Sequence, residues 1–338
     1  MCATSSIASC LRKSNLNYLE NLGVILQKDK SKSKNSPKPA ESSQTKQATD
    51  SAIEQVTFLQ KTSSSSPPKP DYPRYRVEPG KLIKLADFDA NLCESYRKKK
   101  DIIDELVYQR DRLGALQQRL YAENQRSLLI VLQAMDTGGK DGTIKQVFSG
   151  VNPQGCRVWS FKHPSLEESN HDFLWRYHQH TPQKGMITIF NRSHYEDVLI
   201  VRVKKLVEDE VWQKRYQIIN DFEKMLTLSN ITIIKFFLHI SKAEQKLRLE
   251  SRLENPDKLW KFSINDVNER LWWDDYQLAY QDAINNCSTT YAPWYVVPAN
   301  NKWYRNLVIA RAIADTLAAM NPQYPQAEAE IKNIKIPD

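Results

Sequence analysis

Cysteine, glycine and long apolar runs are all scarce in this chain of 338 residues. Its five cysteines form no Cys-x-x-Cys pair and no metal-ligand spacing, which favours free thiols in a reducing compartment. No apolar run approaches the roughly 18 residues needed to span a bilayer. The histidines show no metal-ligand pattern, and there is no Ser-His-Asp order or nucleophile elbow. We therefore expect a cytoplasmic protein without a membrane partner and without covalent catalysis.

The two ends of the chain differ in composition from the rest. Residues 1–71 are rich in Ser, Lys and Pro and poor in aromatic residues, so they cannot bury enough apolar surface to offset their ordering entropy. We predict a disordered arm there and a loose tail over residues 322–338. Residues 1–19 contain two basic residues and no acid, which leaves a transit peptide open, although no clear amphipathic face supports it. The net charge of +8 divides equally between the arm and the remainder.

Residues 72–321 alternate between strand and helix patterns. Short apolar runs predict five strands, at residues 128–132, 156–161, 185–190, 231–240 and 293–298. The intervening segments predict helices, including 166–178, 198–206, 216–229, 241–254 and 303–320. Residues 91–124 predict one long helix or two, packed as a hairpin before the first strand. This alternation indicates an α/β fold with a parallel sheet, helices on both faces and ligands at the carboxyl ends of the strands.

The first strand leads into a glycine loop, in the stretch SLLIVLQAMDTGGKDG from Ser127 to Gly142. Five of the nine glycines lie between positions 138 and 155, where close backbone approach to a ligand would need them. Gly138, Gly139 and Gly142 can turn their amides toward an anion at the start of a helix. Lys140 supplies a point charge for a phosphate oxygen.

This loop departs from the standard P-loop. Ala134 stands at the position of the first glycine, and Asp141 follows Lys140 where a Ser or Thr would bind magnesium. Asp136 and Asp141 must then supply the metal's oxygen ligands, unless Thr143 does. An ordinary strand–turn–helix with a solvated lysine is the alternative interpretation.

A second cluster, FNRSHYED, follows the third strand. The first position after such a strand often carries a magnesium-binding acid, but Asn191 stands here and Glu196 comes one turn later. Arg192 would face phosphate. The alternative is a surface turn capped by Ser193.

A third cluster, RLESRLENPDKLWKFSINDVNERLWW, spans Arg248–Trp273. Its Lys and Arg residues, with aromatic neighbours, predict a helical lid over about residues 250–290 that closes on a phosphate donor. A solvated helical face is the competing interpretation. A fourth cluster, Phe173–Arg176, predicts an aromatic face whose arginine contacts a nucleotide, or else a core helix with one outward arginine.

Five stretches together make the chain resemble the polyphosphate kinase 2 family. They are LLIVLQAMDTGGKDGTIK, VNPQGCRVWSFKHPS, FLWRYHQHTPQKGMITIFNRSHYEDVL, NPDKLWKFSINDVNERLWWDDY and APWYVVPANNKWYRN. The NPQG turn and the FNRSHYED form resemble the class III branch, whereas other branches have Asp in place of Asn191 and Trp in place of His194. Thr137-Gly138 stands where many relatives have two alanines.

The resemblance implies a P-loop kinase fold with a Walker A-like loop that uses inorganic polyphosphate as phosphoryl donor. It implies reversible, Mg²⁺-dependent transfer, with Mn²⁺ as a substitute, to nucleoside mono- and diphosphates. AMP would then become ADP and ATP in turn, and GMP and GDP would be further acceptors. It also implies a homo-oligomer, a dimer or tetramer, with no nucleic acid partner.

Carried over by motif position, the implied roles fall into three groups. Asp136 and Glu196 would hold the metal, and Lys140 and Arg192 would neutralise the transferring phosphate. Asp141 would assist at the metal or orient the acceptor. The substrate-binding group would be Gly138, Gly139, Gly142, Arg176, Arg252, Lys258 and Lys261.

Two other functions remain compatible with the residues alone. An ATP-dependent nucleoside monophosphate kinase would share the architecture, although the missing Ser or Thr after Lys140 argues against it. A non-enzymatic polyanion or nucleic-acid binder would use the basic arm and lid. A GTPase is disfavoured, since no NKxD-type motif follows the fourth strand.

Overall fold

The computed structural model describes residues 72–327, 331 and 334–337 of the chain. The predicted arm, residues 1–71, lies outside the described residues. Of the predicted C-terminal tail, residues 322–327 carry no regular secondary structure. Within the described part of the chain, no helix is both long enough and apolar enough to cross a membrane.

A five-stranded sheet, parallel throughout, forms the centre of the fold in the order β2-β3-β1-β4-β5. The strands are β1 Ser127–Gln133, β2 Cys156–Ser160, β3 Ile187–Asn191, β4 Ile231–His239 and β5 Trp294–Pro298. Every residue of β1, β3 and β5 is buried, as expected for parallel strands covered on both faces. The predicted strands and α/β class are therefore confirmed, with small shifts at the strand ends.

Ten α-helices surround the sheet in the described residues. They are α1 Ile103–Glu123, α2 Lys140–Val147, α3 Leu166–Ser169, α4 Trp175–His178, α5 Ile200–Val203, α6 Asp209–Leu228, α7 Lys242–Leu253, α8 Ile264–Glu269, α9 Trp273–Cys287 and α10 Lys302–Met320. Helix α10 packs against α1 and α2 on one face of the sheet, while α6 and α9 pack together on the other. The helices on both faces thus match the prediction.

Three helix predictions were wrong in detail. The segment 91–124 forms no hairpin: a short 3-10 turn precedes the single helix α1, which ends where Asn124 adopts a left-handed backbone. The segment 166–178 is divided into α3 and α4, because the Asp172 carboxylate accepts a hydrogen bond from the Leu174 amide and forms a local turn. Helix α6 begins seven residues before the predicted Tyr216.

The predicted lid is shorter than residues 250–290. Its second half is α9, a core helix whose apolar face repeats every three to four residues and is buried at Tyr276, Ala279, Tyr280 and Ala283. Residues 254–272, here called the peripheral segment, contain only short helical turns and expose Trp260, Leu271 and other large side chains. The boundary between the peripheral segment and the core helix α9 lies near Trp273, where exposed turns are followed by an amphipathic helix.

Candidate active site

A cleft with a cavity volume of about 660 Å³ opens at the carboxyl ends of the strands. The register pairs Leu132 of β1 with Asn191 of β3, and Asn191 with Ser160 of β2, so these strand ends lie at one edge. The cleft is lined by residues 136–142, 160–163, Asn191, Arg192, Arg252, Trp260, Lys261 and Asp266. The glycine loop, the FNRSHYED cluster and the peripheral segment therefore meet at one place, as the sequence predicted.

The glycine loop needs its glycines for steric reasons. Gly139 has φ of +98°, and a Cβ there would come within 2.1 Å of the Arg305 guanidinium. A Cβ at Gly138 would lie 2.5 Å from the Cβ of Ala134. Thr137 also adopts a left-handed backbone, with φ of +62°, which is uncommon for a non-glycine residue. Gly138 and Gly139 therefore leave no room for a side chain at these two positions.

The loop is held by its carbonyl groups. Gln245 on α7 donates to the Asp136 carbonyl at 3.0 Å. Arg248, also on α7, donates to the carbonyls of Thr137 and Gly138. Arg305 donates to the Gly138 carbonyl at 3.2 Å. Because side chains bind the carbonyls, the first N–H groups of α2, which lack intrahelical acceptors, remain available for an anion.

Lys140 lies in the wall of the cleft, half-buried, with its Nζ donating to the Ala134 carbonyl at 3.0 Å. Burial lowers the pKa of Lys140 to about 8, and the positive charge of Arg192 contributes to the shift. The negative charges of nearby carboxylates partly offset this lowering of the pKa. The ammonium group of Lys140 therefore lies at the tip of strand β1 and not in open solvent. This position disfavours the alternative interpretation of a solvated lysine.

Arg192 brings the two predicted metal carboxylates together. Its guanidinium donates to Asp136 Oδ1 at 2.7 Å and lies 3.9 Å from Glu196 Oε2. The Glu196 charge raises the pKa of Arg192 further, with Asp136 acting in the same direction. Arg192 has φ of +64°, a left-handed conformation that turns the chain sharply after β3. Two acids from different loops thus share one arginine at the cleft.

Asp141 joins three parts of the cleft. The Asn191 side-chain amide donates to Asp141 Oδ1 at 2.8 Å and also reaches Ser160 Oγ at 3.3 Å. Asp141 Oδ2 lies 3.8 Å from Lys261 Nζ in the peripheral segment. Asn191, which stands where an acid is common, is therefore a neutral amide that orients Asp141.

A second groove of about 410 Å³ runs along the other side of the same loop and is strongly cationic. Glu244 is its one acidic residue. Its basic lining residues are Arg248, Arg252, Lys258, Lys261, Lys302 and Arg305. Burial, with a smaller effect of Arg248, lowers the pKa of Arg305 to about 9. The groove shares Arg252 and Lys261 with the larger cleft.

Three residues considered from the sequence lie away from the cleft. Arg176 is buried, donates to the Lys162 carbonyl at 2.9 Å and stacks over Phe161, so it supports the cleft wall without lining it. Asp197 points away from Glu196, toward Arg215 and Tyr177, and burial raises its pKa to about 6. Thr143 is buried and does not line the cleft.

No role was predicted from the sequence for Arg305, Gln245 or Lys302, and Arg248 was predicted only as part of a basic run. The position of Arg305 and Lys302 in the sequence could have indicated that they lie near the loop. Both lie in the first turn of the helix after β5, and every parallel strand directs its following residues to the same edge of the sheet.

Comparison with known proteins decides the family. A model described as "Polyphosphate kinase 2 (PPK2)" matches residues 96–325, more than half of the chain. The chain belongs to the polyphosphate kinase 2 family. It is therefore an enzyme of the polyphosphate kinase 2 type, and the resemblance drawn from the five sequence stretches is confirmed.

Individual relatives agree with this assignment. The chain is 52% identical over 264 residues to "AMP/ADP-polyphosphate phosphotransferase" of Meiothermus ruber, covering 78% of this chain and 99% of that protein. It is 43% identical to "ADP-polyphosphate phosphotransferase" of Rhodopseudomonas palustris, covering 75% and 92%. The crystal structure of polyphosphate kinase 2 from Arthrobacter aurescens superposes with a TM-score of 0.75 at 41% identity, covering 80% of this chain and 98% of that one.

These findings do not favour the two alternatives. The relatives named above are phosphotransferases that use polyphosphate, whereas an ATP-dependent monophosphate kinase or a nucleic-acid binder would need a different set of relatives. The polyphosphate kinase 2 fold is likewise confirmed by the solved structure.

Proposed function

We propose that this protein transfers the terminal phosphoryl group of inorganic polyphosphate to nucleoside mono- and diphosphates, converting AMP to ADP and ADP to ATP, reversibly and with Mg²⁺. The observation that carries the proposal is the meeting of two clefts at one glycine loop. One is cationic and lacks aromatic residues, and the other contains aromatic residues beside the predicted catalytic groups. The acceptor range follows that of the Meiothermus ruber relative's name.

The cationic groove suits the donor. Polyphosphate carries about one negative charge per phosphate and has no base, so it needs a positively charged channel and not a base pocket. Six basic side chains line this groove against Glu244, and none of its lining residues is aromatic. Lys258 is exposed at its rim, where it can follow a chain of varying length.

The larger cleft suits the nucleotide acceptor. Phe161, His163 and Trp260 supply aromatic surface there, while Ser160 and Lys162 supply polar contacts. An aromatic lining can stack on a nucleobase without specifying it closely, which is consistent with acceptance of more than one base. Asp141, at the junction of this cleft with the peripheral segment, is placed to orient the acceptor or assist at the metal.

The residues present fit a divalent metal of the Mg²⁺ type. The described residues contain no cluster of three or more His, Cys, Asp or Glu side chains able to hold a metal ion. Mg²⁺ commonly binds one or two carboxylates together with substrate phosphates and water. Asp136 and Glu196, which already share Arg192, would supply those carboxylates. When bound, the metal would neutralise charge on the substrate phosphates, and Mn²⁺ would substitute for it.

The protein's own groups would perform positioning and charge neutralisation. An acceptor phosphate oxygen forms a bond to the terminal phosphorus of the donor, and the bond from that phosphorus to the shortened polyphosphate breaks. The attacking oxygen is already anionic, so no general base is required. Lys140 and Arg192 would offset the charge on the transferring group, and the loop amides would hold it in line.

The test is product analysis with polyphosphate as sole donor. Purified protein with Mg²⁺ and AMP should yield ADP and then ATP, while ADP alone should yield ATP, measured by ion-exchange chromatography. The same assay with GMP and GDP as acceptors shows which nucleobases the enzyme accepts. The matched control replaces polyphosphate with ATP plus AMP. Product only in the ATP reaction, or none across a range of chain lengths and metal concentrations, would contradict the proposal.

Two further proposals concern the oligomeric state and the cellular location. We propose a homo-oligomer, a dimer or tetramer, supported by the exposed Val158 and Trp159 on the edge strand β2, and light scattering after size exclusion tests it. We propose a cytoplasmic location, which cell fractionation tests.

A further inference from the structure

A fully buried polar cluster lies under the turn that carries Arg192. It consists of Lys235 in the middle of β4, Glu223 on α6, and His194 and Tyr195 directly after Arg192. All four side chains are inaccessible to solvent. None of them lines the cleft or the cationic groove, so the proposed reaction assigns them no role.

The hydrogen bonds within the cluster are nearly complete. Lys235 Nζ donates to Glu223 Oε2 at 2.5 Å, to Tyr195 OH at 2.7 Å and to the Cys287 carbonyl at 2.7 Å, which uses all three of its donors. Glu223 Oε1 accepts from Tyr195 OH at 2.9 Å and lies 3.1 Å from His194 Nε2. Burial lowers the pKa of His194, and its Nε2–H is the donor to Glu223, because a carboxylate oxygen only accepts hydrogen bonds.

Stability alone does not explain a buried pair of this kind. Well-packed apolar side chains of similar volume are often as stabilising as a buried ion pair, and in some proteins such pairs select one conformation. Here the pair binds two consecutive residues of a single turn. These are His194 and Tyr195, and the pair's remaining hydrogen bond goes to the Cys287 carbonyl.

The Ser193 hydroxyl also holds this turn after β3. Ser193 Oγ accepts hydrogen bonds from the Tyr195 amide and from the Gln133 side chain at the end of β1. Arg192, just before these anchors, has a left-handed backbone, which costs free energy and persists only where the surroundings determine it. Residues 193–195 are thus fixed from within; Arg192 on one side of them lines the cleft, and Glu196 on the other lies 3.9 Å from the Arg192 guanidinium.

We propose that Lys235 and Glu223 are positioning residues: through His194 and Tyr195 they hold the turn that places Arg192 between Asp136 and Glu196. This inference rests on the proposed function for the roles of Arg192 and Glu196. Its structural content, the direction of the Arg192 side chain, does not depend on that function.

The first experiment separates positioning from stability. Glu223→Gln keeps the shape of the side chain and removes its charge, and Glu223→Gln combined with Lys235→Met removes the buried charges altogether. Each should lower kcat about 10- to 100-fold, raise the Mg²⁺ concentration for half-maximal rate, and leave the KM for polyphosphate within about two-fold. The double variant should recover melting temperature without recovering kcat. Recovery of kcat in step with melting temperature would overturn the proposal.

A matched control tests the effect of lost stability by itself. Leu120 is fully buried on α1, near the amino-terminal end of β1 and so at the opposite edge of the sheet. Leu120→Ala should lower the melting temperature as Glu223→Gln does, with kcat near that of the wild type at a temperature well below either transition. An equal loss of kcat in this control would count against positioning.

Two further measurements distinguish this inference from the proposed function. In an Arg192→Ala background, Glu223→Gln should lower kcat by a clearly smaller factor than in the wild type, because the part of its effect that passes through Arg192 is already lost. A full additional loss would overturn the proposal. Crystal structures of the two Glu223 variants should show Arg192 beyond hydrogen-bond distance of Asp136, and an unchanged contact would refute the inference. This last readout holds even if the wild type shows no transfer from polyphosphate, an outcome that would reject only the proposed function.

Discussion

The glycine loop and the peripheral segment face each other across the cleft and are built in opposite ways. The loop has its carbonyls bound by Gln245, Arg248 and Arg305. The peripheral segment has short turns, exposes Trp260 and Leu271, and reaches the cleft through Lys261 and neighbouring cations. We propose that the two sides divide the work: the well-anchored loop would fix the phosphate that is transferred, and the exposed cationic segment would hold a polymer of variable length.

The largest effect is expected at the glycine loop. Lys140→Ala and Asp136→Asn should each lower kcat at least about 10²-fold, because each removes a charge that stabilises the transferring phosphate or its metal. Lys145→Ala, at an exposed position of the same helix α2, is the matched control and should retain near-normal rates. Steady-state kinetics with circular dichroism checks this, and wild-type-like turnover in either loop variant would remove the site assignment.

The next prediction uses two glycines with the same backbone angle. Gly139 and Gly150 have φ of +98° and +97°, but a Cβ at Gly150 meets nothing within 4 Å, whereas one at Gly139 meets Arg305. Gly150→Ala should cost about 1 kcal/mol of unfolding free energy, the strain of the left-handed backbone alone. Gly139→Ala should cost more and also lower kcat about 10-fold or more as Arg305 is displaced. Equal costs and equal rates would show that Arg305 does not restrain the loop.

The pH dependence of kcat/KM should report Lys140. Its pKa in the free enzyme is lowered to about 8, so the ammonium loses its proton, and with it its attraction for phosphate, as pH rises through 8. At constant free Mg²⁺, kcat/KM should therefore decline above pH 8, by about 10-fold at pH 9. Bound phosphate raises the lysine pKa, so kcat should decline only at higher pH. Lys140→Arg, if active, should move the alkaline limb upward; an unchanged limb would assign it to another group.

The smallest effects are expected in the peripheral segment. Lys258→Ala and Lys261→Ala should each raise the KM for polyphosphate about 3- to 10-fold with little change in kcat, because single exposed charges contribute modestly. The increase should be smaller at high salt, which screens the same attraction. Lys224→Ala, an exposed lysine on α6, is the control. A main effect on kcat would place these lysines at the reacting phosphate and remove the contrast between the two sides.

Much of the loop side of the cleft could be predicted from local patterns. A buried apolar run followed by glycines and a lysine has few other structural solutions, and parallel strands bring their carboxyl ends to one edge. The structure brings Lys140, Asp136, Arg192 and Glu196 close together, and the roles that the family resemblance implies for them stay predictions. The position of Arg176 could not be predicted in this way, because an arginine on a short aromatic helix has the same local pattern whether it faces a ligand or, as here, a wall carbonyl.

The sequence by itself determined the alternation of strands and helices, the glycine loop and, by its resemblance, the family, since these depend on short-range periodicity and on side chains that a motif requires. Only the tertiary structure decided what surrounds the loop: Arg305 and Gln245 beneath it, and Lys235 with Glu223 under the following turn. These contacts join residues that are distant in sequence. The physical reason is that packing decides which side chains are buried and which groups hydrogen-bond across a sheet. This packing cannot be inferred from a short stretch of sequence.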